Sequence, residues 1–105
     1  MIKLIYSPDA KKDLNDIFDY IANDNIDEAI RFVDLLKSEI EKLPDFPLMG
    51  TNRNRPFLIS RKIRFLVIED YLAFYRYHPE SNKIHILHVL NGAMDYERLL
   101  TQSED

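Results

Sequence analysis

The sequence predicts an α+β fold, in which a helical hairpin covers one face of an antiparallel sheet. Three features predict it. Apolar residues recur at helical spacing over two stretches in the first 43 residues. Three runs rich in β-branched and aromatic residues then occupy Leu58–Ile68, Tyr71–Tyr77 and Lys83–Leu90. The breaks between them, Glu69-Asp70 and His78-Pro79-Glu80-Ser81-Asn82, are too short for crossovers, so neighbouring strands pair antiparallel.

Taken in order, Ile2-Lys3-Leu4-Ile5-Tyr6 reads as a short strand. Ser7-Pro8-Asp9 starts a helix: the serine accepts from free N–H groups, proline suits the first helical position, and the aspartate faces the positive dipole end. Ala10, Leu14, Ile17, Phe18 and Ile21 form its apolar stripe, and Lys11, Lys12, Asp13, Asp16 and Asp19 read as its solvated face. Asn23-Asp24-Asn25 ends that helix and Asp27-Glu28 begins the next, whose stripe is Ala29, Phe32, Val33, Leu36, Ile40 and Leu43. Pro44 and Pro47 stop it, and Gly50 marks a turn. So short a joint makes the two helices an antiparallel hairpin. The resulting order is β-α-α-β-β-β, with the far face of the sheet expected to be partly open. Gly92 is expected to serve a turn with positive φ. Asp95 caps a short helix over Tyr96–Leu100, which closes a single domain of residues 1–100 before a polar tail at 101–105 that should fray.

Composition narrows the function classes. The chain has 105 residues, enough for one core, and its 46% hydrophobic content argues against disorder. With no cysteine it has no disulfide, no thiolate nucleophile and no cysteine-ligated metal, and the three histidines lack metal-ligand spacing. No metal or organic cofactor is implied. The absence of a basic-then-apolar leader, and of an apolar run long enough to span a membrane, predicts a soluble cytoplasmic protein with no membrane partner. The net charge of −4 conceals a local reversal: residues 51–68 carry five basic residues and no acidic one, while the flanking segments are acidic. Such a patch suits phosphates or acidic protein surfaces, or else simply solvates exposed strand edges.

Four pieces of the chain, in order, resemble the RelE/ParE family of bacterial toxins. The first is Ala10, Leu14, Ile17, Tyr20 and Ile21 in the first helix. The second is Ala29 and Phe32, with the later Leu43-Pro44-x-x-Pro47-x-x-Gly50. The third is Arg64 followed by Tyr71-Leu72-Ala73-Phe74-Tyr75-Arg76. The last is Ile86-Leu87-His88-Val89-Leu90-Asn91-Gly92-Ala93-Met94-Asp95-Tyr96, similar to the family's closing motif. The resemblance spans about residues 2–100 and implies the toxin of a type II toxin–antitoxin pair, with a cognate antitoxin as partner. Where the family motif often carries arginine, histidine and arginine, this chain has His88, Asn91 and Met94.

RelE-like members are ribosome-dependent mRNA endonucleases, and cutting RNA requires a base, an acid and cations around the phosphate. Here Arg64, His88 and Tyr96 are the residues available for such a site. Asn91 supplies only hydrogen bonds and Met94 supplies nothing. The losses and the Y-L-A-F-Y strand favour the ParE-like branch, which by resemblance acts by protein contact with DNA gyrase. Two alternatives stand beside it: an mRNA interferase on the ribosome, and an inactive antitoxin-binding module. Binding candidates are Arg53, Arg55, Arg61, Lys62, Arg64, Arg76 and Asn91.

Each candidate also has an ordinary structural reading. Arg64 alternates with Ile63 and Phe65 and so points away from the face they line. Simple alternation puts His88 on one strand face with Ile84, Ile86 and Leu90, as a titratable group or a hydrogen-bonded core residue. His78 and His85 are expected on the surface. Tyr71, Phe74, Tyr75 and Tyr77 are divided by alternation between base-stacking and core positions.

Overall fold

A computed structural model describes residues 1–103 of the chain. The leading strand β1 spans Lys3–Tyr6, and helix α1 spans Pro8–Ala22. Ser7 Oγ accepts the Ala10 N–H at 3.0 Å, Pro8 occupies the first turn, and Asp9 sits beside it, as the sequence predicts. The same hydroxyl donates to the Leu87 carbonyl at 2.9 Å, which fixes the start of α1 to the last strand. Helix α2 spans Ile26–Ile40, with Asn25 Oδ1 accepting the Glu28 N–H at 3.0 Å. The two helices form the expected hairpin and lay their apolar stripes on the sheet.

Beyond α2 come a short helix α3 (Pro56–Ser60), strands β2 (Arg64–Ile68), β3 (Tyr71–His78) and β4 (Lys83–Asn91), and helix α4 (Tyr96–Ser103). The strands form one sheet in the order β1-β4-β3-β2. The β2–β3 and β3–β4 pairs are antiparallel, as expected from their short turns, and β1 runs parallel to β4, with Tyr6 opposite Ile86. Ala10, Leu14, Phe32, Leu36 and Ile40 from the hairpin pack against Leu66, Ala73, Tyr75, Ile84, Ile86 and Val89 of the sheet. Leu36, which is completely buried, contributes about 1.5–3 kcal/mol by that burial alone.

Several expectations need correction. The strand expected from Leu58 begins only at Arg64. Pro56 fixes φ for a first helical position, residues Pro56–Ser60 coil into α3, and Lys62 turns the chain at a left-handed φ of 57°. The far face of the sheet is partly open as expected, with Val67 of β2 66% exposed, but it also carries a core of its own. Leu58 of α3 and Leu100 of α4 join Ile63, Phe65, Phe74 and Leu90 in a second buried cluster there. Helix α4 runs three residues past the expected Leu100, through part of the segment predicted to fray; residues 104–105 lie outside the described residues. Neither glycine has a positive φ; the left-handed positions are Asn54, Lys62, Glu69 and Asn82. Gly92 instead donates its N–H to the Asp70 carbonyl at 2.9 Å. Simple alternation also fails in β4. Its register against β3 shifts between Phe74 and Tyr75, so Ile84 and Ile86 face the helices while Leu90 lies in the opposite cluster.

Candidate functional site

The basic segment follows a loop that the fold holds firmly. Tyr75 is completely buried, and its hydroxyl donates to the Pro47 carbonyl at 2.8 Å and accepts the Gly50 N–H at 3.0 Å. Arg64, opposite Tyr75 in the ladder, donates from Nη1 to the Gly50 carbonyl at 2.8 Å. Thr51 bonds reciprocally with Phe65, N–H to carbonyl, at 3.0 and 2.9 Å. Gly50 itself leaves no space: a Cβ there would lie 2.6 Å from the Tyr75 ring and 2.8 Å from the Phe65 carbonyl. Three apolar side chains of this pinned loop face outward. Phe46 is 63%, Leu48 60% and Met49 42% exposed.

The predicted basic residues divide into two groups. Arg53, Arg55 and Lys62 are exposed, and the first two precede α3 directly. Arg61 and Arg76 are half-buried and structural: Arg61 stacks its guanidinium 3.7 Å from the Phe57 ring centroid, and Arg76 Nε donates to the Arg61 carbonyl at 3.0 Å. Arg64 belongs with them as a brace for the loop.

His88 is buried between β4 and α1. Its Nδ1 lies 2.7 Å from Asp13 Oδ2, the same oxygen accepts the Val89 N–H at 2.9 Å, and His88 Nε2 lies 3.8 Å from Asp9. Burial opposes the imidazolium. The Asp13 hydrogen bond and the charges of Asp13 and Asp9 outweigh that cost, so the pKa rises above the usual histidine value. Asp13 is therefore not part of the solvated face assigned to it. Spacing offered a clue, because Asp9, Asp13 and Asp16 fall on one helical face. His78 and His85, expected on the surface, are half-buried with their rings edge-on at 5.2 Å.

Tyr96 is half-buried, with its ring 5.0 Å from that of Phe74 in the second cluster. Asn91 Oδ1 accepts the Ala93 N–H at 3.0 Å. Arg64, His88 and Tyr96 thus stand on β2, β4 and α4, with β3 between the first two. Beside the closing motif lies a cleft of about 210 Å³, lined by Asp13, Asp16, Tyr20, Tyr71, Asn91 and Met94, among others. Its described lining has two carboxylates and neither lysine nor arginine. A wider groove of about 650 Å³ runs between α1 and α2, lined by Phe18, Ile30 and Val33 with Lys11, Lys37, Asp34 and Glu41. The Tyr6 hydroxyl there has no hydrogen-bond partner among the described residues, and burial followed by the Glu41 charge pushes its pKa up to about 12.

Sequence reasoning missed the Tyr75 latch, for which a hydroxyl in an aromatic strand gives no signal. It also passed over Phe46, Leu48 and Met49, whose signal is an apolar run in a proline-rich turn where polar residues are usual. No described helix is long and apolar enough to cross a membrane.

Comparison with known proteins completes the picture. A family model described as the ParE toxin of the type II toxin–antitoxin system parDE matches residues 4–96. A solved structure titled "Chromosomal ParDE TA system from P. aeruginosa" superposes with a TM-score of 0.71 at 22% identity, over 87% of this chain and 96% of that one. At that identity the likeness speaks for the fold. No protein with a curated description matches this chain.

Proposed function

The chain belongs to the ParE toxin family of type II toxin–antitoxin systems, and on that premise we propose that it arrests growth through protein contact with an essential cytoplasmic target such as DNA gyrase. The observation that carries this reading is the lining of the cleft beside the closing motif. An RNA-cutting site must neutralise charge on a pentacoordinate phosphate, and cations do so there. In this cleft Asp13 and Asp16 would repel the phosphate, and Met94 stands where the family motif often carries arginine. Each ribonuclease candidate is already engaged, Arg64 with a loop carbonyl, His88 with Asp13 at the cleft and Tyr96 against the Phe74 ring.

A cognate antitoxin completes the proposal. The groove between α1 and α2 suits the apolar side chains of an extended antitoxin segment, and the exposed cations Arg53, Arg55 and Lys62, with Arg61, Arg64, Arg76 and Asn91, are the candidate contacts for its acidic ones. The test is induction from a tightly repressed promoter without antitoxin, with message 5′ ends mapped within minutes. Arrest with intact messages, followed by inhibition of supercoiling by purified gyrase, is the expected outcome. New ends in phase with the reading frame would identify an mRNA interferase. Neither cuts nor arrest would leave an inactive antitoxin-binding module.

A further inference from the structure

We propose that the loop Pro44–Gly50 is the surface that engages the toxin's target protein, as a preformed apolar knob seated in an apolar pocket with an acidic rim. The inference rests on the growth-arrest reading above and assigns a site to it. Exposed apolar side chains on a loop oppose the hydrophobic effect and call for an explanation when they cluster. Here Phe46, Leu48 and Met49 are all exposed within one short turn, which the Met49 N–H closes onto the Phe46 carbonyl at 3.1 Å.

The loop is also held far more firmly than a connector requires. Tyr75 takes both the Pro47 carbonyl and the Gly50 N–H, Arg64 takes the Gly50 carbonyl, and Thr51 pairs with Phe65 directly after. A knob ordered before binding loses little conformational entropy when it docks, which is how a small contact gains affinity. Area and charge then select the occupant. The three side chains expose roughly 300 Å² of apolar surface, well short of the ~800 Å² that each partner buries in a stable dimer. They form a compact anchor of hot-spot size, which argues against a second copy of this chain. From Pro44 to Ile68 the chain carries five basic residues against one acidic one, Asp45, although the whole protein is acidic. The complementary surface is therefore an acidic partner with an apolar pocket. A convex knob fits into a folded target, whereas an extended antitoxin segment suits the concave helical groove.

The test compares wild type, Phe46→Ser, Leu48→Asp and the control Ile26→Ser, which removes an equally exposed apolar residue at the start of α2. Each is induced over a graded series of protein levels, and growth arrest, melting temperature and sedimentation are measured. The expected result is that the two loop variants need on the order of tenfold more protein for the same arrest, as loss of a hot spot requires, while melting as wild type does. Ile26→Ser should arrest growth normally. Loop variants that arrest growth as wild type does overturn the inference and leave the toxin reading standing. Loss of arrest that follows a lowered melting temperature, or equal loss in Ile26→Ser, also overturns it. A wild-type dimer dissociated by Leu48→Asp assigns the knob to a second copy instead. A wild-type chain that never arrests growth overturns the toxin reading and this inference together.

Discussion

Replacing Tyr75 by phenylalanine isolates a single hydroxyl and tests whether the loop is held from within the sheet. The ring stays in the core, so its packing is kept. The substitution removes the donor to the Pro47 carbonyl at 2.8 Å and the acceptor of the Gly50 N–H at 3.0 Å. Each bond contributes about 1 kcal/mol net, but a buried partner left unmet costs about 1–3 kcal/mol. The two partners differ. Gly50 is buried, so its N–H stays unsatisfied, while the bond to Pro47 is only partly buried and its carbonyl can take up water. The Gly50 N–H therefore dominates, and the expected loss is about 2–3 kcal/mol. For a domain near this size that lowers the melting temperature by roughly 10 °C or more. Urea denaturation should show the midpoint falling with an unchanged slope, because the surface exposed on unfolding is the same. A change below about 0.5 kcal/mol would refute the reasoning, since it would mean that water or the loop itself replaces both bonds at no cost.

Three further predictions follow from the same geometry. Gly50→Ala pushes a methyl into the Tyr75 ring and the Phe65 carbonyl and should cost about 1–3 kcal/mol by urea titration; its effect should not add to that of Tyr75→Phe, because the two residues touch. Arg64→Ala removes the brace on the Gly50 carbonyl and should cost about 1–2 kcal/mol, reduced from a buried value because the side chain is half-exposed; an unchanged melting temperature would remove its structural role. His88 is held with a raised pKa, so its contribution to stability is fully present below the unfolded value near 6.5 and is lost as pH rises through the folded value. Wild-type stability should therefore fall relative to His88→Gln as pH is raised from about 6.5, and a pH-independent difference between the two would refute the Asp13–His88 pairing as its source.

The order of elements was legible because it depends on local rules. Ser7-Pro8-Asp9 starts α1 as read, and the stripes from Ala10 to Leu43 face the sheet. What the sequence hid was long-range. Nothing near Tyr6 says that it will lie parallel to Ile86, and nothing in β4 announces the register shift that carries Leu90 to the face opposite Ile84 and Ile86, or the Asp13 carboxylate that meets His88. Proline was read as a helix terminator at Pro44 and Pro47, but its other use, starting α3 at Pro56, went unread in a segment whose apolar residues imitate a strand. The basic patch was visible in the sequence as charge. Its division into exposed Arg53, Arg55 and Lys62 and the structural Arg61, Arg64 and Arg76 depends on neighbours distant in the chain.

That division changes how activity data on this chain must be interpreted. Arg64 and His88 resemble parts of a ribonuclease site, yet each is bound to a distant segment, one to the loop at Gly50 and the other to α1. Removing either destabilises the fold, so a loss of toxicity on substitution would look like a catalytic defect without being one. On the proposed reading, toxicity in such variants scales with the folded fraction and returns when the temperature is lowered. Substitutions at Phe46 and Leu48 act differently. These side chains are mostly exposed, so their replacement should weaken arrest by the same order of magnitude at constant stability and at every temperature. A plot of arrest against folding free energy therefore separates the two classes. A catalytic residue would fall off the stability line at Arg64 or His88; a docking surface would fall off it at Phe46 and Leu48.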